Sequence, residues 1–184
     1  MANGQAARDH QGVIDFWRAA GRTRWFAKDP DFDNAFREGF LPLHLAAARR
    51  ELEAWLIEPD SALALLILLD QFPRNAFRGT AHMFATDTLA CLYARQVVDA
   101  GLDAQMDLDL RQFCYLPFEH SERLEDQNLS VAFNRGISDE TLHYAQVHHD
   151  IIARYGRFPH RNALLGRESS SEELMFLTTG GFAG

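Results

Sequence analysis

The chain has 184 residues and a mass of 20.9 kDa, and its hydrophobic (47%) and charged (24%) fractions are those of an average globular protein. Its net charge of −8 argues against a nucleic-acid partner, because nucleic-acid binders carry basic stripes that neutralise phosphates. The longest apolar run, residues 63–69, is far shorter than the about 20 residues that a membrane-spanning helix needs. Both cysteines, Cys91 and Cys114, lie in apolar patterns typical of buried thiols. We therefore expect a cytoplasmic protein that binds neither nucleic acid nor membrane.

Taken in chain order, the apolar residues recur with a helical period along nearly the whole sequence. Helices are predicted over residues 13–20, from Asp29 onward with a kink or break at Pro42, over 62–71, from Thr86 or Asp87 to Ala100, over 108–116 up to Pro117, from Ser121 to Gly136, from Ser138 to Gly156, and after the capping box of Ser170 and Glu173. No segment alternates as a strand does. The expected fold is all-α, a single-domain helical array over residues 1–184, with flexible ends at 1–11 and 178–184.

The helix predicted over residues 62–71 is apolar on all sides. A helix of this kind cannot face water without exposing several large side chains, so we expect it at the centre of the core. Asp70 lies at its end, flanked on the helical wheel by Leu66 and Ile67. A carboxylate there needs a partner or a raised pKa. It is half of a buried ion pair with Arg74, a carboxylate that binds backbone donors at a helix start, or a catalytic group.

Two segments of the chain, residues 72–79 and 158–166, repeat one pattern after an apolar helix. Each places a proline where we expect the helix to stop, then an Arg-Asn pair, then a glycine. These pairs are Arg74-Asn75 and Arg161-Asn162. A loop that only has to turn rarely needs both polar residues twice, so the repetition indicates an architecture and a candidate site.

Two further polar groups are candidates for chemistry. Glu119 and His120 follow the break predicted at Pro117 and could form an acid/base pair or a ligand pair, and capping leaves both unexplained. His148 falls within the apolar arc of its helix, where it is either a core histidine satisfied by hydrogen bonds or an imidazole directed into a pocket.

We expect no metal site and no cofactor. His143 and His148 are five residues apart, whereas a zinc protease places its two helical ligands four apart, and neither cysteine has a partner at metal-ligand spacing. The sequence contains neither a P-loop nor a glycine-rich dinucleotide-binding turn.

The sequence resembles a bacterial family known as domain of unknown function 924 over nearly its whole length. The segments that carry the resemblance are residues 13–17, 25–26, 28–30, 69–75, 77–80, 84–87, 115–122, 148, 150–152, 156–162 and 165–169. The resemblance implies an all-helical fold similar to tetratricopeptide-repeat proteins, an α-α superhelix here with irregular repeats. It implies no activity.

Two hypotheses about function remain open. In the first, the polar segments meet at a pocket for a small anionic ligand, since the planar fork of arginine suits carboxylate or phosphate. The expected ligand-binding residues are then Arg74, Asn75, His120, Arg157, His160, Arg161 and Asn162, with Asp70, Glu119 and His148 as candidates for acid/base catalysis. In the second, the protein is a helical-repeat module that binds a peptide or partner protein in an apolar groove, and the same side chains hold helices together.

Overall fold

The computed structural model describes residues 9–182. Within that range the chain forms α-helices connected by short turns and contains no β-strand, as the sequence predicts. The helices are α1 His10–Ala20, α2 Arg22–Trp25, α3 Pro30–Ala48, α4 Pro59–Leu66, α5 Phe72–Ala76, α6 Asp87–Asp99, α7 Leu108–Glu119, α8 Leu124–Asn134, α9 Asp139–Tyr155 and α10 Ser171–Thr178. Short 3-10 turns cover Glu53–Ile57, Ala81–Phe84, Asp103–Gln105 and Pro159–Arg161. No helix of the described part is long and apolar enough to cross a membrane.

The predicted central helix lies where the sequence places it. Every residue from 61 to 73 is buried, and α4 contacts α1, α6 and α7. An aromatic layer covers this centre, with Trp17 of α1 packed against Phe36 of α3 at 5.3 Å and against Phe113 of α7 at 5.2 Å between ring centroids. The chain thus buries its most apolar segment under side chains from both halves of the sequence.

The prediction that Pro73 stops the central helix is wrong. The chain passes from α4 through one π-helical turn, Ile67–Gln71, directly into α5, and Pro73 lies in the first turn of α5. A π turn adds one residue to the helical ladder and is most often found at functional sites. Because proline has no N–H, the turn before it is left with carbonyl groups that lack backbone donors.

Side chains from other parts of the molecule satisfy these carbonyls. The carbonyl oxygens of Leu68, Leu69 and Asp70 accept hydrogen bonds from His44 Nδ1, Thr86 Oγ1 and Arg74 NH1, respectively. Pairing of this kind is required at a buried position, where an unpaired carbonyl costs about 1–3 kcal/mol. The π turn is therefore held in place by three side chains.

Proline also fails to stop two other helices. Pro42 lies inside α3, which runs unbroken from Pro30 to Ala48, and Pro117 lies inside the last turn of α7. The helix predicted from Ser121 begins instead at Leu124, because the Ser121 hydroxyl donates to Asp126 and does not cap the helix.

The other predicted helix ends are confirmed. Asp29 caps α3, while Ser138 and Ser170 form capping boxes at the starts of α9 and α10. Gly156 ends α9 in the left-handed conformation, with φ of 67°, which glycine adopts without strain.

The flexibility expected at residues 1–11 and 178–184 stays a prediction, although parts of both ends have defined contacts. Residues 9–11 belong to the start of α1, with Asp9 as its cap, and Phe182 packs its ring 4.6 Å from that of His148. Residues 1–8 and 183–184 lie outside the described residues.

Candidate functional site

A cavity of about 640 Å³ lies where the ends of several helices meet. Its walls are the segment after α2, the π turn with α5, the end of α7, the inner face of α9, and the residues around the last 3-10 turn. This volume suits a small-molecule ligand. The two segments with the repeated pattern and the end of α7 all contribute to it, so the structure confirms that these parts of the sequence lie together.

At the cavity wall, His120 forms a hydrogen-bonded pair with the buried Asp70. His120 follows the last residue of α7, and its Nδ1 lies 2.7 Å from Oδ1 of Asp70 on the π turn. Gln71 Nε2 donates to the other oxygen of Asp70 at 2.6 Å. Since the carboxylate accepts the Nδ1 proton, the Nε2 atom of a neutral His120 carries a lone pair.

The charges around this pair favour an ionised aspartate and a neutral histidine. Burial alone acts to raise the pKa of Asp70, but Arg74, His120 and Gln71 outweigh it and hold that pKa below its usual range. Burial and the nearby Arg74 guanidinium lower the pKa of His120, against the opposing effect of Asp70. At neutral pH the pair is a carboxylate bound to a neutral imidazole.

Asp87, the first residue of α6, joins the arginines of the two repeated segments. Arg74 donates to both of its oxygens at 2.9 and 3.1 Å, and Arg161 donates to one of them at 3.0 Å. Arg74 NH1 also lies 3.2 Å from Oδ1 of Asp70. The two segments are thus connected through one carboxylate, and both arginines line the cavity.

Arg161 lies between two aromatic rings. Its guanidinium carbon is 4.6 Å from the centroid of Phe84 and 4.5 Å from that of Phe158. Burial lowers the pKa of Arg161 to about 10, so the side chain is a cation at neutral pH. Its Nε is buried and has no hydrogen-bond partner among the described residues. A buried N–H without an acceptor is unusual, because nearly all buried polar groups in proteins are paired.

Glu119 and His148 form the second polar pair of the cavity. His148 Nδ1 lies 2.8 Å from the carbonyl oxygen of Tyr144 and 3.2 Å from Oε1 of Glu119. The hydroxyl of Ser130 lies 3.5 Å from Oε2. Nδ1 of His148 donates to the Tyr144 and Glu119 oxygens, so its Nε2 is an acceptor, as it is in His120.

Neither member of the second pair is charged at neutral pH. Burial, together with the negative charge of Asp70, raises the pKa of Glu119 to about 8. Burial and the neighbouring His120 lower the pKa of His148 to about 3, and burial with Arg161 lowers that of His160 to about 4. The cavity therefore holds a protonated carboxyl group beside neutral imidazoles.

Cations surround these neutral groups. The cationic side chains that line the cavity are Arg22, Lys28, Arg74, Arg78 and Arg161. Lys28 is the single lysine of the chain and forms no ion pair with any other described residue. The four arginines pair with the carboxylates of Glu140, Asp70, Asp87 and Asp33.

The arrangement leaves an excess of positive charge at the cavity. Five cations stand against four carboxylates, so the surplus is one positive charge in a chain whose net charge is −8. Of the four carboxylates only Glu140 lines the cavity, while Asp33, Asp70 and Asp87 lie behind the wall. A ligand inside would face the cations more directly than their partners.

Much of the remaining wall is apolar and aromatic. It includes Trp25, Phe26, Met83, Phe84, Leu116 and Leu164, while Gln71, Gln112, Asn134 and Thr141 add neutral polar side chains. Such a wall buries the non-polar part of a ligand while the few polar groups orient it.

The structure divides the ten predicted site residues into three sets. Seven of them line the cavity, namely Arg74, Asn75, Glu119, His120, His148, His160 and Arg161. Asp70 lies behind His120 and does not line the cavity.

Arg157 and Asn162, which the sequence predicts as ligand-binding residues, do not line this cavity. Arg157 turns to Glu173 on α10 with bonds of 2.6 and 2.8 Å, and Asn162 donates to the Ser169 hydroxyl at 3.0 Å. Both side chains connect the last 3-10 turn to the segment that leads into α10.

Sequence reasoning missed several residues of the site, among them Asp87, Lys28 and Phe182. Asp87 was predicted only as a helix start, and its position at the beginning of α6 gave no sign that it joins two arginines. Lys28 was not singled out, although its being the single lysine of the chain was a usable signal. Phe182 was assigned to a flexible tail, yet it lines the cavity.

Comparison with known proteins places the chain among proteins of unknown function. Residues 13–181 match the family described as bacterial protein of unknown function, DUF924. The solved structure of the protein of unknown function ATU0120 from Agrobacterium tumefaciens is similar, with 49% sequence identity and a TM-score of 0.91. The similarity covers 93% of this chain and 97% of that one. No curated protein matches the sequence. The chain belongs to the DUF924 family of bacterial proteins.

Proposed function

We propose that the cavity binds a small molecule that carries an anionic group and an apolar part. The observation that supports this most is the surplus of cations over carboxylates at a cavity of an acidic protein. Arginine and lysine side chains on a largely apolar wall are the groups that bind carboxylate and phosphate ligands.

The shape of the cavity favours a small molecule over a peptide. A helical-repeat module that binds a peptide or partner protein uses a long open groove, as the likeness to tetratricopeptide-repeat proteins would imply. The walls of the cavity are instead formed by helix ends. Glu119, His120 and His148 contribute largely buried polar side chains to them. Buried polar groups of this kind orient one small ligand.

The arginines closest to the centre are poor probes of binding. Arg74 and Arg161 share Asp87, so truncation of either would leave a buried carboxylate short of a partner, at a cost of about 3–5 kcal/mol. A loss of binding on truncation of these two side chains would therefore not be separable from a loss of stability.

The proposal is tested at the rim of the cavity. Thermal unfolding of the protein is measured at low salt with inorganic phosphate, 2-oxobutanoate and dihydroxyacetone phosphate. We expect at least one of these anions to raise the Tm of the parent protein. The variant Lys28→Ala should lose most of that increase while its own Tm changes little, because Lys28 is exposed and makes no ion pair with another described residue.

Arg22→Ala and Arg18→Ala form a matched pair of variants. Both arginines make exposed ion pairs of similar length, 3.1 Å to Glu140 and 3.0 Å to Asp107, but only Arg22 lines the cavity. Arg22→Ala should weaken anion binding and Arg18→Ala should not. If no anion stabilises the parent protein, or if both variants respond alike, the cavity does not bind anions.

A further inference from the structure

We propose that this cavity is the site of a proton-transfer reaction, in which His120 is the general base and Glu119 the general acid. The substrate class that fits is a small carboxylate or phosphate with a carbonyl group next to an acidic C–H bond. This inference rests on the proposed function, since the cations that bind the anion also fix the position of the carbonyl group.

The position of His120 is that of a base with a free lone pair. Its Nδ1 is bound to Asp70 at 2.7 Å, which fixes both the tautomer and the ring. Asp70 is fully buried and further fixed by Gln71 and Arg74. The remaining nitrogen, Nε2, accepts a proton, and the residue lines the cavity. An imidazole oriented by a buried carboxylate is suited to general base catalysis.

Glu119 supplies the proton donor. It is buried, lines the cavity and has no cationic partner, since the one ring nitrogen near it belongs to the neutral His148. A carboxylic acid kept neutral at physiological pH can donate a hydrogen bond or a proton to an oxygen on which charge develops. Its raised pKa, about 8, agrees with this role.

The acid and the base can both contact one small ligand. Glu119 and His120 are consecutive residues at the end of α7, so their side chains leave the helix about 100° apart, and both line the cavity. A base and an acid that reach neighbouring atoms of one ligand suit proton removal from a carbon together with protonation of the carbonyl oxygen beside it.

The step is balanced without any other reactant. His120 Nε2 takes the proton from the carbon, and the electron pair of that C–H bond forms a C=C bond. The carbonyl π pair moves to the oxygen, which takes the proton of Glu119, so that an enol, an imidazolium ion and a carboxylate result. In the return step the enol gives its O–H proton back to Glu119, and the carbon takes a proton from His120 that has exchanged with solvent.

The charged and titratable groups that face the two residues come from five elements. Glu119 faces Asp70 of the π turn and His148 of α9. His120 faces the same two residues together with Arg74 of α5, Asp87 of α6 and His160 of the last 3-10 turn. The reaction needs a neutral His120 and a protonated Glu119. Because the Glu119 proton is lost as the pH rises through about 8, the rate should fall above that pH.

The test measures the exchange of carbon-bound hydrogen for deuterium in D₂O by proton NMR. The probes are 2-oxobutanoate, which carries a carboxylate, and dihydroxyacetone phosphate, which carries a phosphate. We expect the parent protein to accelerate exchange into at least one probe next to its carbonyl group, with a loss of rate above pH 8. Glu119→Gln and His120→Asn should each lower the rate by about 100-fold or more. In His120→Asn the amide keeps a donor for Asp70, and His82→Gln, at an exposed histidine outside the cavity, is the control.

The outcomes separate this inference from the proposed function. If a probe raises the Tm but neither probe exchanges faster than in buffer, the protein binds anions and the proton-transfer reaction is excluded. Exchange that survives in both variants, or that keeps its rate above pH 8, also overturns it. If no anion binds at all, both proposals fail. Should the variants not fold, the pH dependence of the parent protein decides.

Discussion

Glu119 is a carboxyl group that folding keeps protonated. In the unfolded chain it ionises near its ordinary pKa of 4.5, whereas burial raises its pKa in the folded protein to about 8. Between these values the unfolded state loses its proton first, so this group lowers the free energy of unfolding as the pH rises from 4.5 to 8. Glutamine has the same shape and no proton to lose.

We expect Glu119→Gln to be more stable than the parent protein, by a margin that grows from pH 5 to pH 8. Each unit of pKa shift is equivalent to about 1.4 kcal/mol, so the margin reaches roughly 4 kcal/mol at most. Urea unfolding of both proteins at several pH values measures it. Parallel stability curves across this range would show that Glu119 ionises normally and would remove the proton donor from the site.

At the scale of residues, Arg74 and Arg161 both line the cavity and stabilise the fold around it. Each lines the cavity, yet each also neutralises Asp87, and Arg161 lies between two aromatic rings. The sequence predicted their nearness through the repeated pattern. It could not show how they are paired, because Asp87 lies 13 residues from Arg74 and 74 from Arg161 along the chain.

At the scale of elements, the π turn of residues 67–71 places Asp70 behind the cavity. Side-chain donors stabilise this turn by hydrogen bonding to its carbonyl groups. One of them is the buried hydroxyl of Thr86, which donates to the carbonyl of Leu69. Thr86 precedes α6 and would ordinarily cap it, but its hydroxyl makes no cap hydrogen bond.

We expect Thr86→Val to destabilise the protein by about 1–3 kcal/mol, because it leaves the Leu69 carbonyl buried without a donor. The control is Thr80→Val, whose hydroxyl bonds the carbonyl of Phe77 at an exposed position, and its effect should stay within about 0.5 kcal/mol. Urea unfolding compares the two. Equal stabilities would mean that Thr86 does not support the turn.

The elements also show what the sequence could and could not predict. Helix starts at Asp29, Ser138 and Ser170 were correct because a cap is a local interaction between residues three apart. The stop predicted at Pro73 was wrong because the hydroxyl of Thr86, from another part of the chain, donates to the Leu69 carbonyl, which proline cannot pair. The stop predicted at Pro117 was wrong by two residues, since α7 continues to Glu119. Helix caps could be predicted from neighbouring residues, whereas the tertiary hydrogen bonds that replace a missing proline N–H could not.

At the scale of the whole molecule, the apolar centre and the polar cavity depend on each other. The all-apolar segment of residues 62–69 fixes the core, and the polar residues that follow it emerge at one end of that core, beside the end of α7. The sequence predicted that these polar residues lie together. It did not predict the cations of the rim, since Arg22 and Lys28 join the wall only through the packing of the segment around α2.

A crystal structure of the protein soaked with dihydroxyacetone phosphate tests the central claim most directly. We predict the phosphate beside Lys28 and the arginines of the cavity wall, and the carbonyl group between His120 and Glu119. A cavity that holds only water at a saturating concentration of the probe, or a probe bound only elsewhere on the surface, would contradict the account.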